Sequence, residues 1–254
     1  MSYRSRLFCA AALAFVGATS PAFAQQFGGE MYVRADLGIG GATNGNFHNR
    51  NQAVVNPLNT VTGITGTLSD LGSAWVAGIG AGLHLIPNVR ADLVYTYRGT
   101  FSLDEGDQAA PPNRFQGDVS SNSVMATAYW DFPLVGDTSA FLGLGLGWAD
   151  VSLSNLASNT GALVVNPHIV GATGIPIAAG GRSDNLAWQI ATGIAFPVTN
   201  GMLLEIFYRY FDAGHVQTPA GNVLVDGVVV GTYGGAEGAL HSHELAVSLR
   251  VPLI

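Results

Sequence analysis

Lysine is absent from these 254 residues, and all ten basic side chains are arginine. Seventeen acids leave a formal net charge of −7, which argues against a nucleic-acid partner. Cysteine occurs once, as Cys9, so a disulfide framework and any multi-cysteine metal site are excluded. Charge is scarce: 11% of the chain, against about 25% in an ordinary soluble domain. Long apolar runs are missing too. No stretch of roughly 18 uncharged apolar residues follows the N-terminal segment, which excludes helical membrane spans. A mean hydropathy of +0.31 excludes disorder. What abounds is glycine, with 34 residues.

The N-terminal segment reads as an export signal. Arg4 and Arg6 precede an apolar core from Leu7 to Val16, and Ala22-Phe23-Ala24 supplies a small-x-small cleavage pattern. The expected cut falls between Ala24 and Gln25, which makes 1–24 a removed signal peptide and 25–254 one barrel domain. Loss of Arg4 and Arg6 takes the net charge from −7 to −9. The apolar core is too short to span a bilayer as a helix, which needs about 20 residues.

An exported, apolar chain without helical spans is either a soluble periplasmic β protein or an outer-membrane barrel. Period-two alternation broken by turn residues predicts eight strands, over 31–41, 74–86, 89–103, 122–132, 139–153, 185–198, 202–212 and 241–253. The connections alternate in length. Pro87-Asn88, the segment 133–137 and Thr199-Asn200-Gly201 are tight turns, whereas 42–73, 104–121, 154–184 and 213–240 are long. Short turns at one end and long loops at the other is the layout of membrane barrels, with the turns in the periplasm. Within the long loops, residues 222–230 predict a small hairpin around Asp226-Gly227, and 163–179 is apolar enough to fold back over the rim or bind a partner. No further domain is expected after the eighth strand.

Sorting each strand by parity separates two faces. One carries aliphatic and aromatic residues without a charge, such as Leu142, Leu144 and Leu146 or Leu245, Val247 and Leu249. The other carries Arg34, Asp36, Arg90, Asp92, Arg98, Asp131, Glu205, Arg209, Glu244 and Arg250, five of each sign, interspersed with glycine. A solvated face would be rich in Lys, Glu, Ser and Thr. Balanced arginine and carboxylate among glycines instead suits a barrel interior, where charges must be paired and small neighbours leave room for long side chains. The apolar face then meets lipid. Trp75, Tyr97, Trp148, Trp188 and Tyr210 fall toward the long-loop ends, and Trp130, Phe132 and Phe196 toward the short-turn ends, as two aromatic girdles at the membrane interfaces.

Several stretches resemble the small outer-membrane β-barrel family of Gram-negative bacteria, which includes the OmpA-like transmembrane domain and the opacity-type surface porins. They are Tyr32-Val-Arg-Ala-Asp-Leu-Gly38, Arg90-Ala-Asp-Leu-Val-Tyr-Thr-Tyr-Arg-Gly99, Ala128-Tyr-Trp-Asp-Phe132, Phe141-Leu-Gly-Leu-Gly-Leu-Gly147, Tyr208-Arg-Tyr-Phe-Asp-Ala-Gly214 and His243-Glu-Leu-Ala-Val-Ser-Leu-Arg250. The resemblance covers nearly the whole mature chain. It implies an all-β, eight-stranded antiparallel up-and-down barrel in the outer membrane, with porin activity weak at most. Its partners would be outer-membrane lipid, lipopolysaccharide and the insertion machinery. One departure stands at the C-terminus, where the family's final aromatic is missing: Leu253 holds the last outward position, after Pro252.

The best candidate for hydrolase chemistry is His241-Ser242-His243-Glu244. On a strand the two histidines share one face and Ser242 and Glu244 the other, so no nucleophile–base pair forms within the motif. Two histidines at i and i+2 could begin a metal site, but no third ligand is evident. The glycine-rich stretches lie inside strands and precede no helix, so they are not phosphate loops. The expectation is a monomeric surface protein without enzymatic activity, cofactor or metal, its lumen filled by the charge network. The other readings are a true small-solute porin, a lipid-modifying hydrolase and a soluble periplasmic carrier.

Overall fold

The computed structural model describes residues 30–43, 48–49, 70–106, 114–159, 163–165, 168–170, 175–176, 181–199, 201–217, 221–225, 228–233 and 236–253. The expected signal peptide, Cys9, the Asp226-Gly227 turn and Ile254 lie outside them. Eight long strands build the molecule: β1 (Met31–Thr43), β2 (Asp70–Ile86), β3 (Val89–Gly106), β4 (Arg114–Pro133), β5 (Ser139–Asn159), β6 (Gly181–Pro197), β7 (Leu203–Gln217) and β8 (Ala236–Pro252). Each pairs antiparallel with the next, and β1 pairs with β8 from Tyr32↔Pro252 to Thr43↔His241, so the sheet closes on itself. Closure removes the exposed edges that an open sheet would present. No helix long and apolar enough to cross a membrane occurs among the described residues, which says nothing about strands.

The tight turns form where the residue types demand. Asn88 takes the left-handed conformation (φ 70°) between β2 and β3. The β4–β5 turn is closed by the Leu134 amide donating to the Thr138 carbonyl at 2.9 Å, and β6–β7 by the Val198 amide donating to the Met202 carbonyl at 2.9 Å. At the same end Pro252 stays in the ladder opposite Tyr32, and the Leu253 amide donates to the Met31 carbonyl. A proline at this terminal position costs little, because the pairing resumes beyond it.

The strands run further toward the long-loop end than the alternation predicts. β4 starts at Arg114 rather than 122, β5 continues to Asn159 rather than 153, β6 starts at Gly181, β7 continues to Gln217 and β8 starts at Ala236. Register slips between Arg98 and Phe101, between Gln116 and Asp118 and between Asp212 and His215 explain the difference on every strand but β6, whose ladder with β5 is unbroken from Gly181. An inserted residue flips the parity of everything beyond it, so the alternating pattern ends while the ladder does not. The long connections are correspondingly shorter. Within them, Gly221–Val225 pairs with Val228–Tyr233 as the expected hairpin. In the apolar loop, Leu163–Val165 pairs with His168–Val170, and Ile175–Pro176 adds to β5 at Ala157 and Ser158.

Candidate functional site

Inward-facing positions fill the cylinder in layers. Nearest the short turns is an ionic core in which Arg34, Asp36, Arg90, Asp92, Glu205 and Arg250 are all buried. The ladder sets Arg34 directly opposite Arg250, a like-charge pair that is unfavourable by itself. Glu205 resolves the conflict: its carboxylate lies 3.4 Å from Arg34, 3.0 Å from Arg90 and 2.9 Å from Arg250. Asp92 accepts from Arg34 Nη1 at 2.5 Å, from Arg90 Nη1 at 3.2 Å and from the Tyr32 hydroxyl. Arg34 Nε donates to Asp36 at 3.0 Å, and Arg90 Nε to Asp131 at 3.2 Å. Asp131 is the partial exception to the interior assignment, since its side chain reaches the turn end and keeps 14% exposure.

A second cluster lies higher. Glu244 accepts from Arg98 Nε at 2.6 Å, from Arg209 Nε at 2.7 Å and from Ser242 Oγ at 2.8 Å, while Arg98 Nη1 donates to Ser123 at 2.8 Å. The lower cluster joins three arginines to four acids, and the upper joins two arginines to one. Asp36 stands within electrostatic reach of Arg209, so the opposite imbalances of the two layers face each other. All ten charged residues read from the sequence are thus brought together on the inner face.

Beside and above the upper cluster the lumen becomes apolar. Phe101, Val119, Met125, Val151, Leu153, Phe211, Val216 and Leu240 form one buried core. Neither these residues nor the aromatic rings below them carry the charge that marks the inner face in the sequence. Arg90 sits 4.0 Å from the centroid of Tyr129, Arg98 3.5 Å from that of Phe211, and Arg250 5.1 Å from that of Tyr32. Rings flanking guanidinium groups add cation–π attraction in a dry setting. Their parity is that of the charges on the same strands, so the signal was present.

The glycines call for a correction. Among the described glycines, only Gly40, Gly78 and Gly82 abut interior carboxylates. Gly143 makes room for the Tyr129 ring, Gly193 for Phe207 and Phe141, and Gly145 for Thr127 and Gln189, which hydrogen-bond to each other at 2.7 Å. A Cβ on Gly147 would lie 2.1 Å from the Val124 carbonyl oxygen. The glycines therefore accommodate rings, polar side chains and neighbouring backbone more than arginines.

The outer wall is apolar. Trp75, Trp130, Phe132, Trp148, Trp188 and Phe196 are exposed, and Tyr97 and Tyr210 are half-exposed. Trp75 packs on Tyr97 and Trp188 on Tyr210, and Trp130 stacks on Phe132 at the opposite end. The Trp188 indole donates to Asp212 at 3.0 Å, an amphipathic contact suited to a membrane boundary. Above the upper girdle, Arg182 pairs with Asp150, whose carboxyl burial raises above its ordinary range while Arg182 opposes the shift.

In β8 the motif divides as its spacing requires. Ser242 and Glu244 face the lumen, but His241 and His243 face outward and do not join the interior network. His241 meets Tyr210 and Asp212, and His243 meets Tyr208. Among the described residues no group of three or more His, Cys, Asp or Glu side chains is placed to hold a metal.

A closed antiparallel cylinder with a charged, packed inside and an apolar outside between aromatic girdles is a transmembrane barrel. The family model described as outer membrane protein beta-barrel domain matches residues 10–248, and the chain belongs to that family. It is a protein of the Gram-negative outer membrane. Outer membrane protein PagN of Salmonella typhimurium is 26% identical over 133 residues, covering 50% of this chain and 51% of PagN. The chain thus spans about half the length of the curated relative it matches. Among solved structures, neisserial surface protein A (NspA) is 18% identical with a TM-score of 0.47, covering 87% of this chain and 96% of that one. The outer membrane protein OprG of Pseudomonas aeruginosa is 9% identical with a TM-score of 0.49, covering 88% and 96%.

Proposed function

We propose that this protein is a sealed structural barrel, exported under the signal at 1–24 and inserted as a monomer, whose long loops are displayed at the cell surface. The layered lumen carries this reading. Side chains of the two ionic clusters bridge the cylinder from wall to wall, and the apolar core above them contains Phe101, Phe211 and Leu240 without solvent exposure. An ion would have to displace paired charges and then cross a dry apolar layer, both of which cost several kcal/mol. The separation of Ser242 from His241 and His243 onto opposite faces supports a non-enzymatic role.

Planar-bilayer recording tests the proposal. The wild-type protein should give no stable openings at moderate voltage. Replacing the plug by Phe101→Ser and Leu240→Ser together should leave the paired charges as the remaining barrier and lower the voltage at which openings appear. Stable openings in the wild type would favour the small-solute porin instead.

A further inference from the structure

On the outer wall, Gly41 of β1 faces lipid, and a groove of about 250 Å³ runs over it, lined by Ile39, Ser73, Tyr208, His243 and Leu245 together with Gly40 and Glu244. Most glycines of this barrel are required by a close neighbour. Gly41 is not: a Cβ there would meet nothing within 4 Å, and its φ is not positive. The missing side chain leaves a recess in the lipid-facing surface and has no packing role.

The height of the groove is set by β8. Its outward residues Leu253, Val251, Leu249, Val247 and Leu245 are apolar, and polarity begins at His243. At ~3.3 Å per residue and a tilt of ~40°, His243 stands about 25 Å above Leu253, at the upper edge of an apolar band about 25 Å tall. The recess therefore begins among acyl chains at Ile39 and Leu245 and ends at headgroup level beside Ser73 and His243.

His243 is held in place. Its Nδ1 lies 2.5 Å from the Tyr208 hydroxyl. With the hydroxyl donating to Nδ1, the neutral ring carries its proton on Nε2; in the charged ring both nitrogens carry protons. In either state Nε2–H is a free donor. Among the described residues, the carboxylate in the lining is that of Glu244, which is directed away from the groove. Tyr208 and Tyr210 are the titratable groups facing from β7, β1 and β2 contribute Gly41 and Ser73, and Glu244 turns inward to Arg98 and Arg209. Asp212 is engaged by Trp188 and His241.

We propose that this groove is a binding site for a phosphate-bearing lipid of the outer leaflet. One acyl chain lies over Gly41, and the headgroup phosphate accepts from His243 Nε2–H and the Ser73 hydroxyl. The site is on the outer wall, so it does not depend on whether the lumen conducts.

Native mass spectrometry of the folded protein in detergent, titrated with bis-phosphorylated lipid A and with the same lipid after enzymatic dephosphorylation, tests this. The wild type should retain one phosphorylated molecule and hold the dephosphorylated lipid about ten-fold more weakly or worse, the loss expected for a charge-assisted hydrogen bond. His243→Ala should abolish the preference for phosphate. Gly41→Leu should weaken both lipids by filling the recess, and His215→Ala, on a different part of the wall, should change neither. Heat-modifiable gel mobility confirms that each variant is folded, and Gly41→Leu stands as an independent test if His243→Ala does not fold. Equal retention of the two lipids by the wild type, absence of retention, or unchanged retention in both His243→Ala and Gly41→Leu would overturn the proposal.

Discussion

Glu244 shows how much one side chain can carry in a closed lumen. It is the carboxylate that both Arg98 and Arg209 reach, and its removal leaves two buried guanidinium groups facing each other. Glu244→Gln should cost about 3–5 kcal/mol in urea unfolding from lipid vesicles, the range for breaking a buried pair by deleting one partner. Asp131→Asn should cost about 1 kcal/mol or less, because Arg90 keeps Asp92 and Glu205 and the site reaches solvent. Equal losses would contradict the layered network. The ten charges were legible in the sequence because alternation with a period of two assigns each to a face. The rings beside them were not singled out, because aromatic residues occur on both faces and only parity tells Phe211 inside from Tyr210 outside.

At the level of strands, glycines and bulges shape the wall. Gly147→Ala would drive a methyl group against the Val124 carbonyl and should destabilise the barrel by about 1–3 kcal/mol, by the same urea measurement. Gly41→Ala should be neutral in it. Gly214 sits at the β7 bulge with φ +74°, its amide donating to Asp212 at 2.8 Å. Gly214→Ala should cost about 1–2 kcal/mol through backbone strain, with the new methyl also pressing on Asn185 Cβ at 2.9 Å. These bulges are also why strand ends were hard to read. Beyond Arg98 and beyond Asp212 the inward parity switches, so Phe101 and Val216 are lumen residues in positions where unbroken alternation would place outward ones. The turn end carries no such bulge on most strands, and there the boundaries predicted from Pro, Asn and Gly agree with the structure to within a residue or two.

Taken whole, the cylinder is taller than the membrane. A spanning strand needs about 9–11 residues, whereas β4 has 20 and β5 has 21. The excess lies at the long-loop end, where the apolar plug fills the inside. Ionic layers therefore occupy the part of the lumen ringed by lipid, and the plug closes the part that stands above it. Eight strands, their order and the inward sense of the charges followed from alternation and connection lengths. The plug did not: Val119, Val216 and Leu240 lie in segments that read as loops, Phe101 lies past a bulge, and Met125, Val151, Leu153 and Phe211 sit in predicted strands without a charge to mark them as luminal.

In the membrane the apolar face of the sheet meets lipid while the arginines and carboxylates meet one another along the axis, and the orientation of the whole barrel depends on this. Nitroxide labels placed singly from Ala246 to Leu249 on β8, in protein reconstituted into vesicles, test it most directly through collision rates with oxygen and with a water-soluble nickel chelate. Labels at Val247 and Leu249 should collide often with oxygen and rarely with nickel, whereas those at Ala246 and Ser248, whose side chains are buried in the lumen, should be immobilised and shielded from both. Frequent nickel collisions at Ala246 and Ser248, with shielding of Val247 and Leu249 from both reagents, would mean that the charged face looks outward to water.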